Sequence, residues 1–177
     1  MVIYSIINQK GGTGKTTTTI NLGAALNRRA KNVLLIDLDP QGNLCYSLGI
    51  NEFEQSLGDA LLGEVSLEAI MQEQEGLNIL PSDNGLADTE FSLARTGDQE
   101  TVLAELLKKV EGFDYVLIDC PPSLSTLTLN ALIASDKVII PMQMEVLSLQ
   151  GLDQIVNTIQ KVSDSYEKSL KIEGVLP

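Results

Sequence analysis

Histidine and tryptophan are absent from this 177-residue chain, and cysteine occurs only twice, as Cys45 and Cys120. Without an imidazole, histidine-based catalysis and His-ligated metal sites are excluded. Two cysteines in a chain of this length make no disulfide framework, and a reduced, cytoplasmic compartment is the simplest reading. Aromatics amount to three Phe and four Tyr, so a core has to be built from aliphatic side chains. No apolar run approaches the roughly 20 residues that span a bilayer, and Met1-Val2-Ile3-Tyr4 lacks the basic n-region of a signal peptide. Positive charge is also scarce, with 12 Lys and Arg against 24 Asp and Glu. The deficit is local: residues 1–50 hold five basic and two acidic residues, 51–114 three and fifteen, and 115–177 four and seven. Such an acidic middle repels DNA and anionic lipid and reads as a solvated face, and no basic stripe for nucleic acid is present.

The length fits one domain, residues 1–177, able to bury roughly 70% of its unfolded surface. Apolar runs alternate with helix-like patterns. Val2–Ile7, Asn32–Asp37, Leu77–Pro81, Tyr115–Asp119, Lys137–Pro141 and Ile172–Leu176 read as strands. Helices are expected over Lys15–Ala30, Ser56–Leu62, Ser66–Glu73, Asn84–Leu93, Gln99–Val110, Leu124–Ala134 and Leu147–Tyr166. Strand–helix alternation with continuous apolar strands predicts an α/β fold: a mostly parallel, twisted sheet with helices on both faces.

The first strand runs into Lys10-Gly11-Gly12-Thr13-Gly14-Lys15-Thr16-Thr17, and a helix follows. A glycine-rich loop between strand and helix wraps a polyphosphate, because its backbone N–H groups converge on the anion. Lys15 reaches the β- and γ-phosphates in such a loop, and the Thr16 hydroxyl binds Mg²⁺. The generic motif has a glycine where this chain has Gln9, and a second lysine, Lys10, stands beside it. Three acidic residues occupy strand ends, where α/β sheets build their sites. Asp37 and Asp39 lie in Asp37-Leu38-Asp39-Pro40-Gln41-Gly42-Asn43, and Asp119 ends an apolar strand before Cys120-Pro121-Pro122. Asp119 reads either as a carboxylate of the Mg²⁺ shell or as a strand-end residue capping the next helix.

The KGGTGKTT run resembles the deviant Walker A box of the ParA/MinD family of P-loop ATPases, and the resemblance covers essentially the whole chain. It implies ATP and Mg²⁺ as ligands, with Gly11, Gly12, Thr13, Gly14, Lys15, Thr16 and Thr17 on the nucleotide. Thr16, Asp37 and Asp119 are implied around the metal. It further implies that Lys10 reaches across a dimer to the partner's nucleotide and that Asp39, in the switch I box, orients the attacking water. Asp37 then either hydrogen-bonds the metal's water shell or anchors its loop. Asp119-Cys120-Pro121-Pro122 resembles switch II, and Pro141-Met142-Gln143-Met144-Glu145 with Leu149-Gln150-Gly151-Leu152 resembles the ParA pattern of shape and interface residues.

The activity so implied is a ParA/Soj-type partition ATPase. It forms a homodimer when ATP-bound, is stimulated by a ParB-like partner, and segregates DNA or positions a cargo. Non-specific DNA binding, and with it association with the nucleoid, is implied by the resemblance alone. A MinD-like ATPase acting at the membrane is the alternative, and needs a basic amphipathic C-terminal helix that this chain does not show. A nucleotide-binding module without catalysis is disfavoured by the set Lys15, Thr16, Asp39 and Asp119. The nitrogenase iron protein shares the loop and uses two cysteines per chain on a cluster, but the surroundings of Cys45 and Cys120 do not match it. Gly174-Val175-Leu176-Pro177 stops on or just after a strand, whereas the family continues for several elements, so a fragment or a naturally short member is expected.

Overall fold

The computed structural model describes residues 1–95 and 99–177, with the backbone alone for 146–150. Seven strands form one sheet: β1 (Val2–Ile6), β2 (Val33–Asp37), β3 (Gln72–Gln74), β4 (Leu77–Leu80), β5 (Tyr115–Asp119), β6 (Lys137–Pro141) and β7 (Lys171–Leu176). Their order is β3-β4-β2-β5-β1-β6-β7. Every pairing is parallel except that of β3 with β4. The sheet is therefore the mostly parallel one that the alternation predicts.

Eight helices connect the strands among the described residues: α1 (Lys15–Asn27), α2 (Asn43–Ser47), α3 (Leu57–Leu61), α4 (Leu67–Ile70), α5 (Gly85–Leu93), α6 (Val102–Leu107), α7 (Thr126–Ala134) and α8 (Val146–Ser165). Successive strand residues point to opposite faces. Val33, Leu35 and Leu117 pack with Ile20 and Ala24 of α1 and Leu44 of α2. Leu34, Ile36, Val116 and Ile118 pack on the other face, under the side chains of α3 to α8. Both faces of β2 and β5 are covered, which is why these two strands read as unbroken apolar runs.

Two features differ from the sequence expectation. The helix expected over Ser66–Glu73 stops at Ile70, and Gln72–Gln74 forms β3 of a hairpin. Glu75 and Gly76 make its two-residue loop, both at positive φ (53° and 76°), the type I′ geometry that twists with the strands. A short helix, α2, follows the Asp39 loop, where no helix was expected. At the far edge, β7 is exposed along its whole length, and Lys137 Nζ pairs with Glu173 Oε2 across β6 and β7 at 2.8 Å.

Strand order positions the site. β1 connects through α1 to β2, and β5 connects through α7 to β6, so neighbouring chains leave β5 and β1 in opposite directions. A crevice opens at that switch point, at the carboxyl ends of the strands. The pairing sets Ile6 beside Asp119, and Asp119 beside Asp37. Helix α1 lies close to the sheet at Gly23, where an added Cβ would fall 2.8 Å from Leu35 Cδ2. Gly23→Val should overpack this contact and destabilise the fold by about 1–3 kcal/mol, read as a lowered urea midpoint with unchanged m-value.

Candidate nucleotide site

The loop that leaves β1 is shaped before any ligand is considered. Asn8, buried, donates from Nδ2 to the Pro141 carbonyl at 2.7 Å, and its Oδ1 accepts the Lys10 N–H at 3.0 Å. One side chain thus moors the mouth of the loop to the end of β6. Gly12 and Gly14 adopt positive φ (73° and 88°), where a side chain would be strained. A Cβ at Gly11, Gly12 or Gly14 would enter open space. Among the described residues no side chain caps α1, so its first-turn N–H groups suit an outside acceptor. The loop borders a cleft of about 650 Å³ lined by Gly11 to Thr17 together with Asp39, Gln41, Asn43 and Pro122. Its size, glycine cradle and uncapped helix start suit a nucleotide's phosphates.

The two loop lysines part company. Lys15 is buried, with Nζ 3.4 Å from the Lys10 carbonyl. Lys10 is exposed, and its ammonium is held by its own chain: 2.6 Å from Glu145 Oε2 and 2.8 Å from Gln143 Oε1. Gln143 Nε2 also donates to the Gly12 carbonyl at 3.3 Å. Gln143 and Glu145, which the sequence suggests only as shape and interface, are therefore in contact with the glycine loop. Of the other residues of that pattern, the side chains of Leu149 and Gln150 lie outside the described ones.

Beneath the cleft the Thr16 hydroxyl donates to Asp119 Oδ2 at 2.6 Å. Asp119 is almost wholly buried, and its Oδ1 has no hydrogen-bond partner among the described residues. The helix-cap reading of Asp119 is not realised, because α7 starts only at Thr126 with Ser125 before it. Asp37, fully buried, accepts three backbone amides: Asp39 N–H on Oδ1 at 3.3 Å, and Leu44 and Cys45 N–H on Oδ2, each at 3.1 Å. These are the bonds of a loop anchor. Asp39 borders the cleft, and its Oδ1 accepts the Gln41 N–H at 3.0 Å. The Ser82 hydroxyl donates to the Asp39 carbonyl at 2.6 Å. Sequence reasoning missed Ser82; the only signal for it is its place just after a strand, which matters once β4 is known to lie beside β2.

The donor set suits a hard divalent cation. Thr16 Oγ1, which borders the cleft, and Asp119, whose Oδ2 accepts from it and whose buried Oδ1 has no partner among the described residues, are oxygen donors. Among the described residues no group of three or more Asp, Glu, Cys or His forms a self-sufficient metal cage. That matches a cation which keeps waters and draws its remaining ligands from substrate phosphates. Burial pushes the Asp119 carboxyl up to about 7, against the Thr16 hydrogen bond, and the neighbouring Asp37 charge adds to the rise. Asp37 is pushed up to about 6, chiefly by burial, against its backbone hydrogen bonds. Both cysteines are buried and free, and burial raises the Cys45 thiol to about 12 and raises Cys120, as in packed, unreactive thiols.

The chain is similar to known proteins over nearly its whole length. A family model described as an AAA domain matches residues 1–172. The sporulation initiation inhibitor protein Soj of Bacillus subtilis is 46% identical over 98% of this chain and 71% of its own length. The chromosome partitioning protein ParA of Caulobacter vibrioides is 44% identical over 98% of the chain and 68% of its own. Among solved structures, the cobyrinic acid a,c-diamide synthase of Mycobacterium smegmatis, with bound ATP analogue and magnesium, superposes with a TM-score of 0.96 at 42% identity. It covers 100% of this chain and 74% of that one.

The raised carboxyls carry a pH signature. An acid with a higher folded than unfolded pKa stabilises the fold below its unfolded value, and that contribution is lost as pH rises through the folded one. Asp37 and Asp119 have reference values of 3.8 and folded values of about 6 and about 7. The nucleotide-free chain should therefore lose stability between pH 4 and 7 on their account. Asp119→Asn should flatten part of that slope, as denaturant titrations at pH 5, 6 and 7 will read.

Proposed function

This chain belongs to the AAA-domain family, in the branch of the ParA and Soj partition proteins, and we propose on that premise that it is a Mg²⁺-dependent ATPase of a partition or cargo-positioning system. The observation that carries the catalytic part is the Thr16–Asp119 hydrogen bond beneath the open glycine loop. It joins the start of α1 to the end of β5 and leaves a buried carboxylate oxygen without a partner among the described residues. The two curated relatives support the partition role. The synthase structure supports the ligands, since it holds an ATP analogue and magnesium on the same fold.

The roles follow from position. Residues Gly11 to Thr17 cradle the phosphates with backbone N–H groups, and Lys15 supplies a fixed positive charge to them. Thr16 and Asp119 hold Mg²⁺, which when bound neutralises charge on the phosphate oxygens. Asp37 takes the anchor role, or a place in the metal's water shell, through the bonds that fold residues 38–45 around it. Asp39 borders the cleft with one carboxylate oxygen fixed by Gln41 N–H, and so is suited to orient an attacking water. Lys10 acts across an ATP-dependent homodimer, for which it has to leave Glu145. A ParB-like stimulating protein and non-specific DNA are the partners this branch implies. No helix among the described residues is long and apolar enough to cross a membrane.

Two variants separate binding from turnover. Lys15→Ala should weaken equilibrium ATP binding by roughly 10- to 100-fold, the size of a lost hydrogen bond to a charged group. Asp39→Ala should keep binding and slow single-turnover hydrolysis by roughly 10²- to 10⁴-fold. Loss of binding in Asp39→Ala would make its role structural.

Lys10 has a test of its own. Lys10→Ala should leave monomer ATP binding nearly intact and weaken dimerisation and hydrolysis together. Mixing Lys10→Ala chains with Asp39→Ala chains should restore activity at one site of the mixed dimer. The Lys10→Ala chain there keeps Asp39 and receives Lys10 from its partner. No recovery means that Lys10 serves its own chain's nucleotide, provided wild-type dimerisation has been verified.

A further inference from the structure

The loop that carries Asp39 is held largely by its own residues, and from β5 by the Asp119 carbonyl, which accepts Leu38 N–H at 3.0 Å. Asp37 accepts the Asp39, Leu44 and Cys45 amides, and Gly42 N–H donates to the Asp39 carbonyl at 2.9 Å. Ser82, which follows β4, holds the loop from outside at Asp39 itself. It is 2% exposed, and its hydroxyl donates to that same Asp39 carbonyl at 2.6 Å. A second contact marks the same junction. A Cβ on Gly42, which adopts φ +61°, would lie 3.0 Å from the Ser82 carbonyl oxygen. The loop and the end of β4 thus approach closely at Ser82, and a side chain at position 42 would be both strained and crowded.

We infer that Ser82 is a positioning residue for ATP hydrolysis, acting through Asp39. This rests on the proposed role of Asp39 in orienting water. The Asp39 peptide is fixed at its N–H by Asp37 and at its carbonyl by Ser82, so the carboxylate is aimed from a rigid base. Rigid support of this kind is what keeps a reacting group within the fraction of an ångström that orientation requires. Without the Ser82 hydroxyl the carbonyl keeps Gly42 N–H, so the loop stays folded but regains rotational freedom about Asp39. The phosphate cradle, built from β1 and α1, does not touch Ser82, so nucleotide affinity is unaffected.

The test compares wild-type, Ser82→Ala, Ser82→Thr and Asp39→Ala full chains. It reads ATP affinity at equilibrium, single-turnover hydrolysis with Mg²⁺, and melting temperature. Ser82→Ala should bind ATP within about twofold of wild type and hydrolyse it roughly tenfold more slowly, the kinetic equivalent of one hydrogen bond. Ser82→Thr, which keeps the hydroxyl, should recover at least half of the lost rate. A purely structural serine would lower the melting temperature of Ser82→Ala while leaving the rate per folded molecule unchanged, and that result overturns the inference. So does a parallel loss of ATP binding. If the added methyl of Thr is not accommodated, the affinity and rate of Ser82→Ala decide alone. The Asp39→Ala chain separates the levels. If it hydrolyses ATP like wild type, the reading of Asp39 fails and the inference falls with it. If it is inactive while Ser82→Ala keeps the wild-type rate, only the role of Ser82 fails.

Discussion

Two carboxylates buried side by side at the ends of adjacent parallel strands constrain everything around them. Asp37 and Asp119 are register partners, both essentially inaccessible. Burying one charge is costly, and burying two next to each other is more so. The chain answers with a different device for each. Around Asp37 the backbone of residues 38–45 curls so that three amides point at one carboxylate. Toward Asp119 the first turn of α1 turns its Thr16 hydroxyl inward, and Lys15 contributes its charge. The glycine loop and the Asp39 loop thus take their shapes from the same electrostatic demand. One oxygen of Asp119 has no partner among the described residues, and that oxygen is the one the proposal assigns to the cation.

The pair of lysines in the glycine loop shows how weak and strong contacts divide labour. Lys15 is buried and has one direction to point. Lys10 lies in water, paired with Glu145 at 2.6 Å and with both partners partly solvated. Exposed ion pairs of this kind contribute about 0–1 kcal/mol. The pair orders Lys10 and joins the loop to the segment between β6 and α8, yet it yields readily to a competing anion. A residue meant to change partners is better held this way than by a buried bridge, whose rupture would cost several kcal/mol.

Much of this was legible in the chain itself. Continuous apolar runs marked β2 and β5 because both their faces are covered, and the KGGTGKTT run located the loop because its chemistry is local. The legible parts share one property: neighbours in sequence make them. Ser82 and Glu145 were harder to see because their roles depend on strand order, which brings β4 beside β2 and the end of β6 beside the glycine loop. The sequence leaves two readings of Asp37 for a related reason. Its three amide donors come from a loop whose folding includes α2, a five-residue helix too short for periodicity to reveal. The β3 hairpin was hidden by Gln72-Glu73-Gln74, whose polar side chains carry no alternation, so only Glu75-Gly76 marked the turn.

The attachment of β7 depends on the surrounding solution in a way that the nucleotide loop does not. Strand β7 pairs with β6 in parallel register, and Lys137 Nζ reaches across to Glu173 Oε2 at 2.8 Å. The same ammonium lies 5.5 Å from the centroid of the Tyr4 ring, so one cation ties β1, β6 and β7. Both members of the ion pair are partly solvated, and salt screens such a pair. The hydrogen bonds that hold Asp37 and Asp119 are buried, and buried contacts are screened much less. Ionic strength therefore acts on one side of the sheet and leaves the bonds beneath the nucleotide loop largely untouched.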